Sequence, residues 1–236
     1  GDEYKMRKPL KLSTTQIILL SFLIVILLGS LLLSLPISSK TGQSVSYIDA
    51  LFTATTSTCV TGLVTVSTFS TWSTFGQIII LIMIQIGGLG VVAFMALFMM
   101  FIHKKFNLKD NQLIQDAFNL NTMDGLRNFI KHVFVGTLII EGIGAIVLSI
   151  RFIPEFGILK GIYYSIFHSI SAFCNAGFDL MGSSEAYTSF TKYVGDPLVN
   201  ITLVLLIVIG GLGFVVWNDL MNKKLNWKRY SLHTKL

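Results

Sequence analysis

Apolar residues along this chain neither alternate nor recur on one helical stripe; they run on in four long stretches, 17–35, 75–102, 133–150 and 198–217. A helix rises 1.5 Å per residue, so each stretch is long enough to cross a hydrocarbon core of about 30 Å. Only one charged residue, Glu141, falls inside them. Two shorter apolar segments, 47–59 and 161–174, lie between the stretches and are too short to cross as helices, at roughly 20 Å each. The pattern therefore predicts span, short segment, span, written twice.

Composition turns that pattern into a solvent assignment. With 53% hydrophobic and 13% charged residues, the chain lies outside the range of soluble domains, and lipid is the expected surrounding. The first stretch exceeds the ~7–15 residue core of a secretory signal, no small-residue cleavage site follows it, and it is expected to stay in the membrane. Nothing resembles a P-loop, a catalytic triad or a metal cage, so no enzyme is expected.

The duplication is also visible residue by residue. Ile86-Gly87-Gly88-Leu89-Gly90 recurs as Ile209-Gly210-Gly211-Leu212-Gly213, an offset of 123, while Phe52, Cys59 and Gly62 recur as Phe167, Cys174 and Gly177 at an offset of 115. An internal repeat of this length marks a structural unit. The boundaries that follow are a first unit at 12–106, a cytoplasmic linker at 107–126 with a short helix near 111–120, a second unit at 127–225, and the start of a third unit at 226–236.

Charge sets the orientation. Of 18 Lys and Arg, fourteen fall before the first stretch, between the second and third, or after the fourth; only Lys40, Arg151, Lys160 and Lys192 fall on the other side. Positive residues stay in the cytoplasm, which puts both termini there and makes the basic patches topology signals rather than nucleic-acid contacts. The short segments then enter from outside as re-entrant helices, because irregular backbone at membrane depth survives only where protein buries it or it lines a watery cavity. The alternative, two interfacial amphipathic helices, lacks the basic polar face such helices carry.

After the short segments come Thr58-Cys59-Val60-Thr61-Gly62-Leu63 and Phe173-Cys174-Asn175-Ala176-Gly177-Phe178. A dehydrated cation needs oxygen ligands, and backbone carbonyls supply them if several successive ones point inward. Glycine reaches the necessary positive φ without steric cost, so Gly62 and Gly177 are the expected bends. The short helices would turn their partially negative C-terminal ends toward the cation.

In this order of span, pore helix, Gly-containing filter and span, the chain resembles the Trk/Ktr/HKT superfamily of cation transporters, from about Lys11 onward. The resemblance implies an all-α membrane fold of two tandem potassium-channel-like repeats out of four, each with an outer helix, re-entrant pore helix, filter loop and inner helix. It implies potassium as the transported ion at the carbonyls of Val60, Thr61, Gly62, Leu63, Asn175, Ala176, Gly177 and Phe178. Within the superfamily, glycine at the first filter position goes with potassium and serine with sodium preference, so Gly62 favours potassium; a sodium-conducting sibling is the alternative. Two repeats cannot close a four-sided filter, and the C-terminal half of the same subunit is expected to complete it. A homodimer on a cytosolic ring of nucleotide-binding regulatory subunits, in the bacterial plasma membrane, is implied as well. From another class, the rival is a nonconducting scaffold.

Several residues keep two readings. Gly87, Gly88, Gly90, Gly210, Gly211 and Gly213 suit close helix packing or a hinge. Cys59 and Cys174 suit small packing positions rather than a disulfide, since they should lie around a pore axis, beyond the ~7 Å bridging limit. Glu141, an intramembrane acid, suits filter support or direct ion binding, with His168 as its expected partner. Asp49 and Asp179 sit near the outer mouth, where carboxylates concentrate cations. Asn200-Ile201-Thr202 has the form of a glycosylation sequon but lies inside a predicted span.

Overall fold

A computed structural model of the chain describes residues 13–101, 108–117, 126–182, 187–214, 216–217, 219 and 232–235. Among these, the regular structure is helical apart from one antiparallel bridge between Ser39 and Trp72. The expected cytoplasmic linker falls partly, and the expected third-unit start largely, outside the described residues; within them, Leu108–Ala117 and Leu232–Lys235 are helical.

Helix α1 (Thr14–Leu33) opens with a reciprocal capping box, in which Gln16 N–H donates to the Ser13 hydroxyl and Ser13 N–H to the Gln16 side chain. Such a box satisfies two backbone donors left without partners at a helix start. The helix is apolar all round and exposes Leu19, Leu23, Ile24 and Leu28, the side chains a bilayer would cover. Its Gly29 faces Met83 of α4 (Thr74–Leu89) so closely that a Cβ there would meet the sulfur. Between them lie the short helix α2 (Tyr47–Thr58) and the single turn α3 (Thr68–Thr71).

The second apolar stretch is not one straight span, as the sequence pattern suggested. Helix α4 ends at Leu89, Gly90 takes φ 89°, and α5 (Val91–Phe101) leaves at 96°. A left-handed glycine closes a helix, and here Gly90 N–H donates to the Gly87 carbonyl, a common C-terminal device. Beyond the turn, α5 buries Val92, Ala93 and Ala96 with Ile114 of α6 (Leu108–Ala117) and with Phe129, Ile130 and Val133 at the start of α7 (Leu126–Phe156). This second core is separate from the one between the repeats.

The second unit mirrors the first. Helix α7 (Leu126–Phe156) contains the third stretch and extends beyond both its ends. Helix α8 (Ile158–Phe173) is the second short helix, and α9 (Pro197–Gly211) is capped by the Asp196 carboxylate, which accepts from Val199 N–H. The fourth stretch is also interrupted: α9 stops at Gly211, and Gly213 takes φ 83° before helix resumes at Phe214. Helix α10 is Leu232–Lys235. Gly144 of α7 faces Leu206 of α9 just as Gly29 faces Met83, so the outer-to-inner helix contact is repeated at the same offsets as the motifs. Asn200, the sequon residue, points its amide at the carbonyls of Tyr193, Val194 and Asp196 and so satisfies helix-start carbonyls.

Candidate functional site

Both short helices end beside each other. The segment after α2 has φ 49° at Val60 and 75° at Gly62; the segment after α8 has 58° at Asn175 and 70° at Gly177. Each strand thus carries two left-handed residues separated by one other. Positive φ is free for glycine and costly for valine, whose branched Cβ crowds the carbonyl. Local hydrogen bonds hold Val60 in place: its N–H donates to Ser57, and Thr61 N–H to the Thr56 carbonyl at 3.0 Å. The Thr56 hydroxyl also meets the Thr61 hydroxyl and accepts from Leu63 N–H at 3.1 Å.

The second strand is braced the same way. Asn175 N–H donates to Ala172 and Ala176 N–H to Ser171, while the Ser171 hydroxyl donates to the Phe178 carbonyl at 2.6 Å. Thr56 and Ser171 are related by the 115-residue offset, so a pore-helix hydroxyl holds each strand. Gly62 and Gly177 face each other: a Cβ on Gly62 would lie 2.7 Å from the Ala176 oxygen, and one on Gly177 would lie 3.3 Å from the Gly62 Cα. A cavity of about 210 Å³ opens beside them, lined by Gly62, Gly177, Phe178, Asp179, Phe69 and Tyr187 among others. Asp179 accepts from Met181 N–H at 2.9 Å.

The inner-helix glycines divide into two kinds. Gly87 lies against the Thr58 carbonyl and Gly210 against the Phe173 carbonyl, so tightly that a methyl group at either would collide with pore-helix backbone; Gly88 faces Cys174. Gly90 and Gly213 have open space around them but positive φ, and they break helices rather than pack them. A Cβ on Gly211 would lie 3.8 Å from the Asn175 amide nitrogen, an ordinary contact.

Glu141 does not reach His168, against expectation. Its carboxylate accepts from Gln85 Nε2 at 3.0 and 3.1 Å, with the Cys174 sulfur at 4.0 Å. Gln85 lies on the first inner helix and Glu141 on the second outer helix, so the contact clamps one repeat to the other directly behind Cys174. The His168 ring instead bridges the Tyr164 carbonyl and Leu180 N–H, at 2.6 and 3.0 Å. Since Leu180 donates to Nε2, the proton sits on Nδ1, and the ring ties the exit of the second strand to its own pore helix. Glu141, through Cys174, and His168, through Leu180, both flank the segment after α8, by separate routes. Cys59 is exposed and Cys174 buried, and both are free thiols. Asp49 lies in the first turn of α2, away from the strands.

Gln85, Thr56 and Ser171 were not singled out from the sequence. Gln85 had a signal, an amide inside an apolar stretch; the hydroxyls could have been found by extending the 115-residue offset. Replacing Glu141 with Ala takes away the acceptor that the half-buried Gln85 amide uses, a cost of about 1–3 kcal/mol. The melting temperature of the purified full-length protein should fall for Glu141→Ala and fall less for Glu141→Gln, which keeps an acceptor.

The cation transport protein family TrkH matches residues 3–233. The chain is 43% identical over 232 residues to Ktr system potassium uptake protein B of Bacillus subtilis (strain 168), covering 98% of this chain and 50% of that protein. It is 42% identical over 232 residues to the potassium/sodium uptake protein NtpJ of Enterococcus hirae, with the same coverage. With Ktr system potassium uptake protein B of Vibrio alginolyticus it shares 38% identity over 225 residues, 94% of this chain and 47% of that one. The chain thus spans about half the length of these relatives. With channel-like units, apolar spans and a match along nearly its whole length, this chain belongs to the TrkH family of cation transport proteins.

Proposed function

We propose that the chain is the N-terminal two-repeat half of a potassium-uptake subunit, conducting potassium passively through a filter of backbone carbonyls in the bacterial plasma membrane. The observation that carries this reading is the paired backbone, φ 49° and 75° in one strand and 58° and 70° in the other. Left-handed residues at alternate positions turn successive carbonyls to one side, the geometry that replaces an ion's water. Val60 to Leu63 and Asn175 to Phe178 are the ion-lining residues. Glu141, His168, Cys59 and Cys174 support them. The names of the two Ktr relatives support potassium as the ion.

Two strands enclose half a ring. The C-terminal half of the same subunit supplies the rest, and a homodimer on a cytosolic nucleotide-binding ring is the assembly the resemblance supports. Both termini face the cytoplasm, the bilayer covers the exposed apolar faces, and nucleic acid has no part.

A sodium-conducting protein is the second reading, favoured by the potassium/sodium name of the Enterococcus hirae relative. The test is rubidium and sodium-22 uptake by a potassium-uptake-deficient bacterium carrying the full-length protein or Gly62→Ser. A side chain at φ 75° beside the Ala176 oxygen should widen the constriction and cut rubidium-over-sodium preference about tenfold or more. Unchanged preference would remove Gly62 from the filter; sodium preference in the parent would favour the second reading.

A further inference from the structure

Four positive side chains lie on the filter-mouth side of the helices by the orientation proposed above. Two are satisfied: Arg151 pairs with Asp196 at 2.8 Å and Glu155 at 3.0 Å, and Lys192 pairs with Glu155. The other two, Lys40 and Lys160, form no ion pair with a carboxylate among the described residues. They converge on one ring. Lys40 Nζ lies 3.7 Å and Lys160 Nζ 5.8 Å from the Phe69 centroid, and Lys160 is also 5.3 Å from Tyr164 and 5.8 Å from Phe156.

Backbone contacts hold this arrangement. Lys40 N–H donates to the Thr71 carbonyl at 2.9 Å, next to the Ser39–Trp72 bridge, so Lys40 stands over the turn that carries Phe69. Lys160 is in the first turn of α8, a 16-residue helix whose N-terminus no side chain caps. Unpaired N–H groups at a helix start add partial positive charge. Burial and, second, the charge of Lys160 push the Lys40 ammonium below its ordinary range. An aromatic ring stabilises each cation, but two ammonium groups that share one ring repel each other, and an anion bound by both would relieve that repulsion.

We propose that Lys40 and Lys160 bind one phosphate group, with the open start of α8 as a third donor. The surroundings favour a phospholipid headgroup as its source, since Ile37 lies three residues before Lys40 and Ile158 and Leu159 immediately precede Lys160, all at 63% exposure or more, an apolar surface fit for acyl chains. Lysines at such a boundary extend their ammonium to headgroup level. Phe69 also lines the cavity beside Gly62 and Gly177, so a bound phosphate would neutralise positive charge next to the filter mouth and raise the local cation concentration.

The experiment measures binding, not transport, so its result is independent of the conduction reading, although the membrane side rests on it. Purified full-length protein is titrated with phosphatidylglycerol and phosphatidylcholine under native mass spectrometry, and with inorganic phosphate by calorimetry. The variants are Lys40→Gln/Lys160→Gln, Lys40→Arg/Lys160→Arg and, as control, Lys192→Gln. Phosphatidylglycerol should bind the double Gln protein about tenfold more weakly or worse, while the double Arg and Lys192→Gln proteins keep parental affinity and phosphatidylcholine distinguishes none of them. Inorganic phosphate binding that the double Gln change abolishes would support the site with a free anion as its source. Equal binding of both phosphates by parent and a well-folded double Gln protein, or none by the parent, overturns the proposal.

Discussion

A Gly177→Val protein is expected to reach the membrane in normal amount and to carry no rubidium above the background of cells lacking it. Gly177 sits at φ 70°, and a Cβ there would lie 3.3 Å from the Gly62 Cα. The left-handed region costs an L-residue about 1–2 kcal/mol, more when the side chain is branched. The strand relieves that cost by rotating back to negative φ, which would swing the Ala176 and Gly177 carbonyls away from the proposed ion path. Because Gly177 is exposed and touches no inner helix, the fold survives while the lining fails. Immunoblotting of membranes beside rubidium uptake by the full-length protein separates the two. Parental uptake in the variant would remove the carbonyl filter and leave the nonconducting scaffold as the better reading.

Gly210→Val should fail earlier, at folding. Here the neighbour is the Phe173 carbonyl, backbone at the end of a buried helix, and no rotamer change can move it aside. The inner helix would have to back away from α8 along its length, at a cost of about 3 kcal/mol or more. Neighbouring positions provide controls of different physical kinds. Gly211→Ala meets only the Asn175 amide at 3.8 Å and should melt like the parent. Gly213→Ala has free space but φ 83° and should lose about 1 kcal/mol. Thermal melts monitored by size-exclusion fluorescence would rank the three, and a Gly210→Val protein as stable as the parent would show that α9 does not rest on the end of α8.

These glycines mark how far the sequence could be read. The two units, their order and the bends at Gly62 and Gly177 were legible because the same residues recur at fixed offsets, and a repeat turns one reading into two. The break at Gly90 was not legible: glycine is ordinary inside membrane helices, and only its dihedral separates a packing position from a terminus. Glu141 was recognisable as needing a partner, since a lone carboxylate in an apolar stretch is costly. The choice of Gln85 over His168 was not, because it depends on how the first inner helix lies across the second outer one. His168 was already taken by its own repeat, which lacks any mark in sequence spacing.

The 96° turn between α4 and α5 has a mechanical meaning. A straight rod that rotates about its axis moves nothing beyond its own girth. A rod with a cranked end sweeps that end through an arc, and here the cranked arm is buried against α6 and the first turns of α7. Twisting the first inner helix would therefore push sideways on the foot of the second unit, so the two repeats are geared together at their base as well as clamped by Gln85 and Glu141 behind Cys174.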